Sequence, residues 1–184
     1  MPSPATAVAN RRHFTSQAAD RLAEARREHR QLAAMMIDID HFKRINDTHG
    51  HAVGDAVIRS VAQTPRTNRR DTDILCRYGG EEFVILSGDC GHGPLSTAER
   101  LRQAVKQTGV AGPAGPVSVT VSVGVAELTG DDDGLEALLG RADAALYRAK
   151  GAGRDQVKRE PLSDSLPHSS PRQIQDIRRC LTIT

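Results

Sequence analysis

Two pairs of carboxylates stand where a folded chain gains no stability from them. Asp38 and Asp40 end a near-continuous apolar run that begins at Leu32, while Glu81 and Glu82 follow Gly79-Gly80 and open the apolar run 83–86. Adjacent acids at the mouth of a buried strand are desolvated and repel one another, and both effects cost free energy. A cation or a reacting group relieves that cost. Carboxylates from neighbouring strands that meet at one sheet end form an all-oxygen site suited to Mg²⁺. Beside phosphate, such a site withdraws charge from a transferring phosphoryl group and activates a hydroxyl nucleophile. Lys43, Lys150 and Arg154 are the cations that can hold the remaining phosphate charge. The helix start after Asp40 adds backbone N–H groups. Read singly, the same residues are an exposed hairpin tip and solvated surface cations.

The elements that must position these groups follow from periodicity. Gly79-Gly80 between residues 74–76 and 83–86 predicts a two-residue hairpin turn with positive φ at both glycines. Residues 10–31 read as a helix with Phe14, Ala18, Leu22 and Ala25 on one face. Residues 32–39 read as a central strand buried on both faces. A short helix over 41–49 closes at Gly50, and Asp55 is placed to cap the next, whose stripe is Val57, Ile58, Val61 and Ala62. Pro65 is expected to stop or kink that helix. Ser96 and Glu99 form a capping box for a helix to about Thr108, with Ala98, Leu101 and Val105 inward. Residues 109–116 read as a Gly/Pro connection, and 117–126 alternate valine with small residues as the cleanest strand. After an acidic turn at 131–134, Leu135, Leu138, Ala142, Ala145, Leu146 and Ala149 repeat at helical spacing up to Lys150 and a Gly151 C-cap. This order predicts an α+β fold, the ferredoxin-like βαββαβ palm, with a mostly antiparallel central sheet flanked by helices.

Composition narrows the partners. The chain has 184 residues, 38% hydrophobic and 26% charged, as in one ordinary globular domain. A formal net charge of +2 supplies no field for a nucleic-acid polymer or a membrane surface. Aromatics at 3%, with no Trp, offer no base-stacking platform. Three scattered cysteines fit reduced thiols better than disulfides or a zinc site. No signal-peptide pattern or membrane-spanning apolar run is present, so the expectation is a cytoplasmic protein. Residues 1–9 read as an extended entry, 10–158 as the folded domain, and 159–184 as a polar Pro/Ser-rich tail in which Ile174, Ile177 and Leu181 suggest a weak terminal helix.

Taken together, Asp38-Ile-Asp-His-Phe-Lys-Arg-Ile-Asn46-Asp, Gly50-His51-Ala-Val-Gly54-Asp55, Arg77-Tyr-Gly-Gly-Glu-Glu-Phe83, Val121-Ser-Val-Gly124 and Ala142-Asp-Ala-Ala-Leu-Tyr147-Arg-Ala-Lys150-Gly-Ala-Gly-Arg154 resemble the GGDEF family of diguanylate cyclases. These motifs appear in the family's order, and the resemblance runs from about Asn10 to Val157. It implies a nucleotidyl-cyclase palm that joins two GTP into cyclic di-GMP. By resemblance, Asp38, the Ile39 carbonyl and Glu81 hold Mg²⁺, with Mn²⁺ as the alternative. Glu81 is also the base for the attacking 3′-hydroxyl, and Glu82 supports the metal site. Asn46 and Asp55 read guanine, with Phe42 and His51 beside them; a carboxylate accepts from guanine N1–H and N2–H₂, which adenine cannot match. Lys43 offsets charge developing on the phosphate, and Lys150 and Arg154 hold its tail. Arg70 and Asp73, an R-x-x-D pair, and Arg100 correspond to a feedback site for the product.

The resemblance also implies a homodimer, because each domain binds one GTP, and an upstream sensor domain, absent from this chain, that controls pairing. In place of the family's opening Asp-x-Leu-Thr-Gly-Leu-x-Asn-Arg the chain has Ser3-Pro-Ala-Thr-Ala-Val-Ala-Asn10-Arg11. The alternatives are a module that binds GTP or cyclic di-GMP without turnover, and a purely regulatory or dimerisation domain.

Overall fold

The computed structural model describes residues 11–68, 73–88, 93–129 and 134–161. The elements in chain order are α1 (Arg11–Arg27), β1 (Leu32–Ile39), α2 (Phe42–His49), α3 (His51–Asn68), β2 (Ile74–Arg77), β3 (Glu82–Gly88), α4 (Pro94–Gln107), β4 (Val110–Gly112), β5 (Gly115–Val117), β6 (Val121–Glu127), α5 (Leu135–Gly151) and β7 (Val157–Arg159). The main sheet has the order β2-β3-β1-β6-β7. Its pairs are antiparallel apart from β6 and β7, which run parallel. Without β7 this is the predicted ferredoxin-like arrangement, with β1 at the centre.

Burial of β1 on both faces explains its unbroken apolar run. Met35, Ile37 and Ile39 join Val57, Ile58 and Val61 of α3 and Leu101 and Val105 of α4 in one core. Ala34 and Met36, on the opposite face, pack with Phe14, Ala18 and Leu22 of α1 and with Leu138, Ala142 and Leu146 of α5. The two-residue strand period therefore sends the even-numbered residues of β1 towards α1 and α5. Asp38 lies on that side.

The small residues of β6 are there for α5 rather than for solvent: Ser122 and Ala126 are fully buried. At Gly124 a Cβ would collide with the Ala142 carbonyl oxygen and the Leu146 nitrogen, so the helix rests directly on the strand backbone.

Several local expectations are corrected. Neither Gly79 nor Gly80 has positive φ. The connection between β2 and β3 spans residues 78–81, closed by N–H bonds from Tyr78 and Gly79 to the Glu82 carbonyl at 2.8 and 3.2 Å. Gly79 is needed for room, because a Cβ there would lie 2.5 Å from a Glu82 carboxylate oxygen. Asp55 is inside α3 and caps nothing: left-handed Gly50, at φ +84°, joins α2 to α3, and its carbonyl accepts from Val53 and Gly54 at 3.2 Å. Helix α3 continues past Pro65 to Asn68, so the expected stop does not occur there.

The capping box is absent as well. Helix α4 begins at Pro94, before Ser96, because proline is suited to a first helical position, and Glu99 bonds Arg102 instead. Residues 109–116 contain the β4–β5 hairpin, and the long valine alternation is divided between β5 and β6. At the break, Thr120 bonds Asp40 through both its carbonyl and its hydroxyl. Gly151 belongs to α5, whose C-cap is Ala152, and the left-handed glycine is Gly153. Strand β7 was not anticipated. The acidic turn at 131–133, Arg70 of the R-x-x-D pair, the entry at 1–9 and the proposed terminal helix lie outside the described residues.

The contact at Gly124 yields a test of the packing. Gly124→Ala is expected to lower unfolding free energy by roughly 1–3 kcal/mol, as overpacking against an immovable backbone does. Chemical denaturation of parent and variant measures it.

Candidate active site

At the end of β1, register fixes the acids against one another. Asp38 is the cross-strand partner of Glu82 on β3 and of Ser122 on β6. One residue on, the Ile39 N–H donates to the Glu81 carbonyl at 3.3 Å, which holds the 78–81 turn against the strand end. The Arg77 guanidinium braces that turn from the other side, donating to the Gly80 carbonyl at 2.6 and 3.1 Å. Tyr78, just ahead of the glycines, is pinned by Arg11 at the start of α1. The guanidinium lies 4.3 Å from the ring centre and donates to the phenol oxygen at 2.9 Å.

Helix α5 delivers the counter-charge. Lys150, in its last turn, pairs with Asp38 at 2.7 Å, and the carboxylate side is only 8% exposed. A cation there also complements the helix dipole. Burial pushes the Asp38 carboxyl above its usual range, helped by Asp40 and opposed by Lys150 and Arg154. Burial and the charge of Asp38 likewise raise Glu81 and Glu82. Asp143, two helical turns before Lys150 on α5, is raised by burial and by Asp38. Lys150, with Arg154 acting on Asp38, therefore faces four carboxylates, and negative charge is left in excess. Sequence reasoning gave Asp143 no role, although it lies inside the Ala142–Arg154 motif.

Asp40 has a different task from the one its position suggested. It is buried, and it accepts from the Thr120 hydroxyl at 2.8 Å, the Ser122 hydroxyl at 2.7 Å and the Asp155 N–H at 3.0 Å. Those bonds occupy the carboxylate and tie β1 to the turn after α5.

The remaining predicted residues fall into three places. Phe42 and Asn46 on α2 lie over Gly54 of α3, where any Cβ would strike the Asn46 side-chain oxygen. Asp55 and His51 are exposed on the first turns of α3, and Lys43 is exposed on the first turn of α2. Arg154 is exposed in the turn after α5. Asp73 is buried and accepts from the Ser87 hydroxyl at 2.6 Å, while Arg100 is exposed on α4.

For a metal, the donors fit in kind. Asp38, Glu81 and the Ile39 carbonyl are hard oxygens carrying surplus negative charge. Among the described residues no three His, Cys, Asp or Glu side chains converge as a self-sufficient metal cage. Hard oxygen donors of this kind are those that Mg²⁺ takes, through one or two carboxylates with water and phosphate completing its shell.

The Asp38–Lys150 pair predicts a pH signature. Lys150→Met should reduce stability near neutral pH by roughly 1–3 kcal/mol, since it strands an ionised buried acid. Asp38's carboxyl is already raised in the folded state, so its ionised form opposes folding, and the loss of Lys150 raises it further. The deficit of the variant should therefore close as pH falls through that folded value, where the protonated acid needs no partner. Thermal unfolding across pH checks both the size and the sign.

The family model described as diguanylate cyclase, GGDEF domain, matches residues 4–156. Among curated proteins, the chain is 43% identical over 155 residues to the response regulator PleD of Caulobacter vibrioides, covering 83% of this chain and 34% of that protein. It is 40% identical over 162 residues to the diguanylate cyclase DgcP of Pseudomonas aeruginosa, covering 86% of this chain and 24% of that protein. The chain thus spans 34% and 24% of these relatives' lengths. Among solved structures, the GGDEF domain of DgcB from Caulobacter crescentus, in complex with c-di-GMP, superposes with a TM-score of 0.81 at 33% identity, covering 86% of this chain and 95% of that one. The active GGEEF domain of a diguanylate cyclase from Vibrio cholerae gives 0.79 at 30% identity, covering 85% and 99%. With the family model matching residues 4–156, from before α1 to the turn after α5, the chain belongs to the diguanylate cyclase GGDEF-domain family.

Proposed function

We propose that this domain condenses two GTP molecules into cyclic di-GMP and releases two pyrophosphates. The observation that carries the reading is the cross-strand pairing of Asp38 with Glu82, with Glu81 beside them and Lys150 on Asp38. Such a cluster is costly for folding and useful for phosphoryl transfer. Asp38, Glu81 and the Ile39 carbonyl would hold Mg²⁺ or Mn²⁺, which when bound supplies charge neutralisation at the phosphate.

The chain's own groups divide the remaining work. Glu81 takes the proton from the 3′-hydroxyl, a role its raised carboxyl suits. Glu82 keeps the acidic cluster oriented. Lys43, Lys150 and Arg154 offset charge on the phosphates. Asn46 and Asp55 read guanine, with Phe42 and His51 alongside; the space over Gly54 that Asn46 fills is the geometry in support. Each domain supplies one GTP, so the active species is a homodimer with its sites face to face. No helix of the described residues is long and apolar enough to cross a membrane.

Product inhibition through Arg70, Asp73 and Arg100 belongs to the same reading. Its support is the R-x-x-D spacing and the exposed position of Arg100 on α4.

Incubating the chain with GTP and Mg²⁺ at several protein concentrations tests the proposal. Cyclic di-GMP should form at a rate that rises faster than linearly with protein. Glu81→Gln should lower that rate by on the order of 10²–10⁴ while keeping the unfolding midpoint; normal product formation by this folded variant would overturn the assignment. Arg70→Ala should raise the cyclic di-GMP concentration needed for half-inhibition at least about tenfold, as loss of a charge-assisted contact does. The initial rate should be unchanged. Unaltered inhibition would reduce the R-x-x-D pair to a turn.

A further inference from the structure

The turn after α5 contains two consecutive non-glycine residues in the left-handed region. Arg154 is at φ +64° and Asp155 at φ +43°, directly behind Gly153 at φ +110°. Side chains disfavour that region, and such residues persist only where their surroundings over-determine them. Here the restraints can be named. The Arg154 N–H donates to the Ala149 carbonyl at 3.1 Å, and the Gln156 side-chain amide donates to the same carbonyl at 3.0 Å.

Asp155 is gripped from two further elements. Its N–H donates to Asp40 at the end of β1, at 3.0 Å. Its carboxylate accepts from Arg102 and, at 2.6 Å, from Lys106, both on α4. Arg102 is itself 7% exposed and is fixed by Glu99 at 2.6 and 2.9 Å. Asp40 is fixed in turn by Thr120 and Ser122.

The clamp is not needed to hold the strand that follows. Strand β7 has its own parallel ladder to β6, and pairs at its far end join Arg159 to Glu127 at 2.8 Å and Glu160 to Arg141 at 2.6 Å. Together with the bonds to the Ala149 carbonyl, the clamp restrains the backbone from which the exposed Arg154 side chain departs. A relaxed turn would re-aim that side chain and leave β7 paired.

We propose that Asp155, held between Asp40 and the Arg102–Lys106 pair, is a positioning residue that acts through Arg154 and sets where its guanidinium meets the phosphate tail. The inference rests on the cyclase reading, which gives Arg154 its ligand.

A double-mutant cycle on the full chain tests it. Asp155→Asn keeps tolerance of the left-handed region but removes the charge that Arg102 and Lys106 hold. It should raise the KM for GTP about tenfold while kcat stays within about twofold. Lys106→Met, at the solvent side of the clamp, should raise KM in the same direction by a smaller factor. In an Arg154→Ala background, Asp155→Asn should have no further effect. Equilibrium binding should weaken for GTP and not for guanosine, which has no phosphates. An unchanged KM in folded Asp155→Asn, or effects that multiply in the double variant, would overturn the proposal. If the parent binds GTP but makes no product, the cyclase reading falls and the same cycle, read on Kd, still decides the clamp. If the parent does not bind GTP, both fall.

Discussion

The ion pair between Asp38 and Lys150 is the interaction on which the rest of the site depends. A buried carboxylate at a strand end needs a nearby cation, and the 2.7 Å contact supplies one from a different layer of the fold. That contact exists only if α5 lies close to the sheet, and α5 lies close because Gly124 has no side chain. Core packing and site electrostatics are therefore one problem here. The charge balance still leaves Glu81, Glu82 and Asp143 raised by burial and mutual repulsion, so the free energy opposing the fold is concentrated where chemistry is expected.

The sheet separates two kinds of work. Even-numbered residues of β1 face α1 and α5, and this is the side on which Asp38 meets Lys150. Odd-numbered residues face α3 and α4. The α2–α3 corner, with Asn46 packed over Gly54, grows from the end of β1 through left-handed His41 and is closed by left-handed Gly50. The acidic cluster with Lys150 and the α2–α3 corner thus leave the same strand end by different routes.

Local periodicity made much of this legible. The helix stripe Phe14, Ala18, Leu22 and Ala25 and the two-sided strand at 32–39 rest on spacing alone, and the burial pattern follows them. Failures came where a residue's role depends on something distant or on space rather than conformation. Gly79 looked like a φ requirement and is a gap for Glu82. Asp40 looked like a site acid, but Thr120, Ser122 and Asp155, far along the chain, occupy its oxygens. Asp55 and Ser96 looked like caps, yet Gly50 and Pro94 had already started those helices. Strand β7 is three residues long and pairs in parallel with β6, so it left no alternating pattern to read.

The stacking of Arg11 on Tyr78 changes how distance should be measured in this molecule. Along the backbone the two residues are 67 positions apart, and the intervening chain builds α1, β1, α2, α3 and β2. Through space they are one contact apart, and Tyr78 adjoins the glycines that carry Glu81 and Glu82. The first turn of α1 and the acidic turn are thus joined by a direct side-chain contact that does not run through the sheet. The opening helix and the most charged corner of the fold are neighbours in space though far apart in sequence.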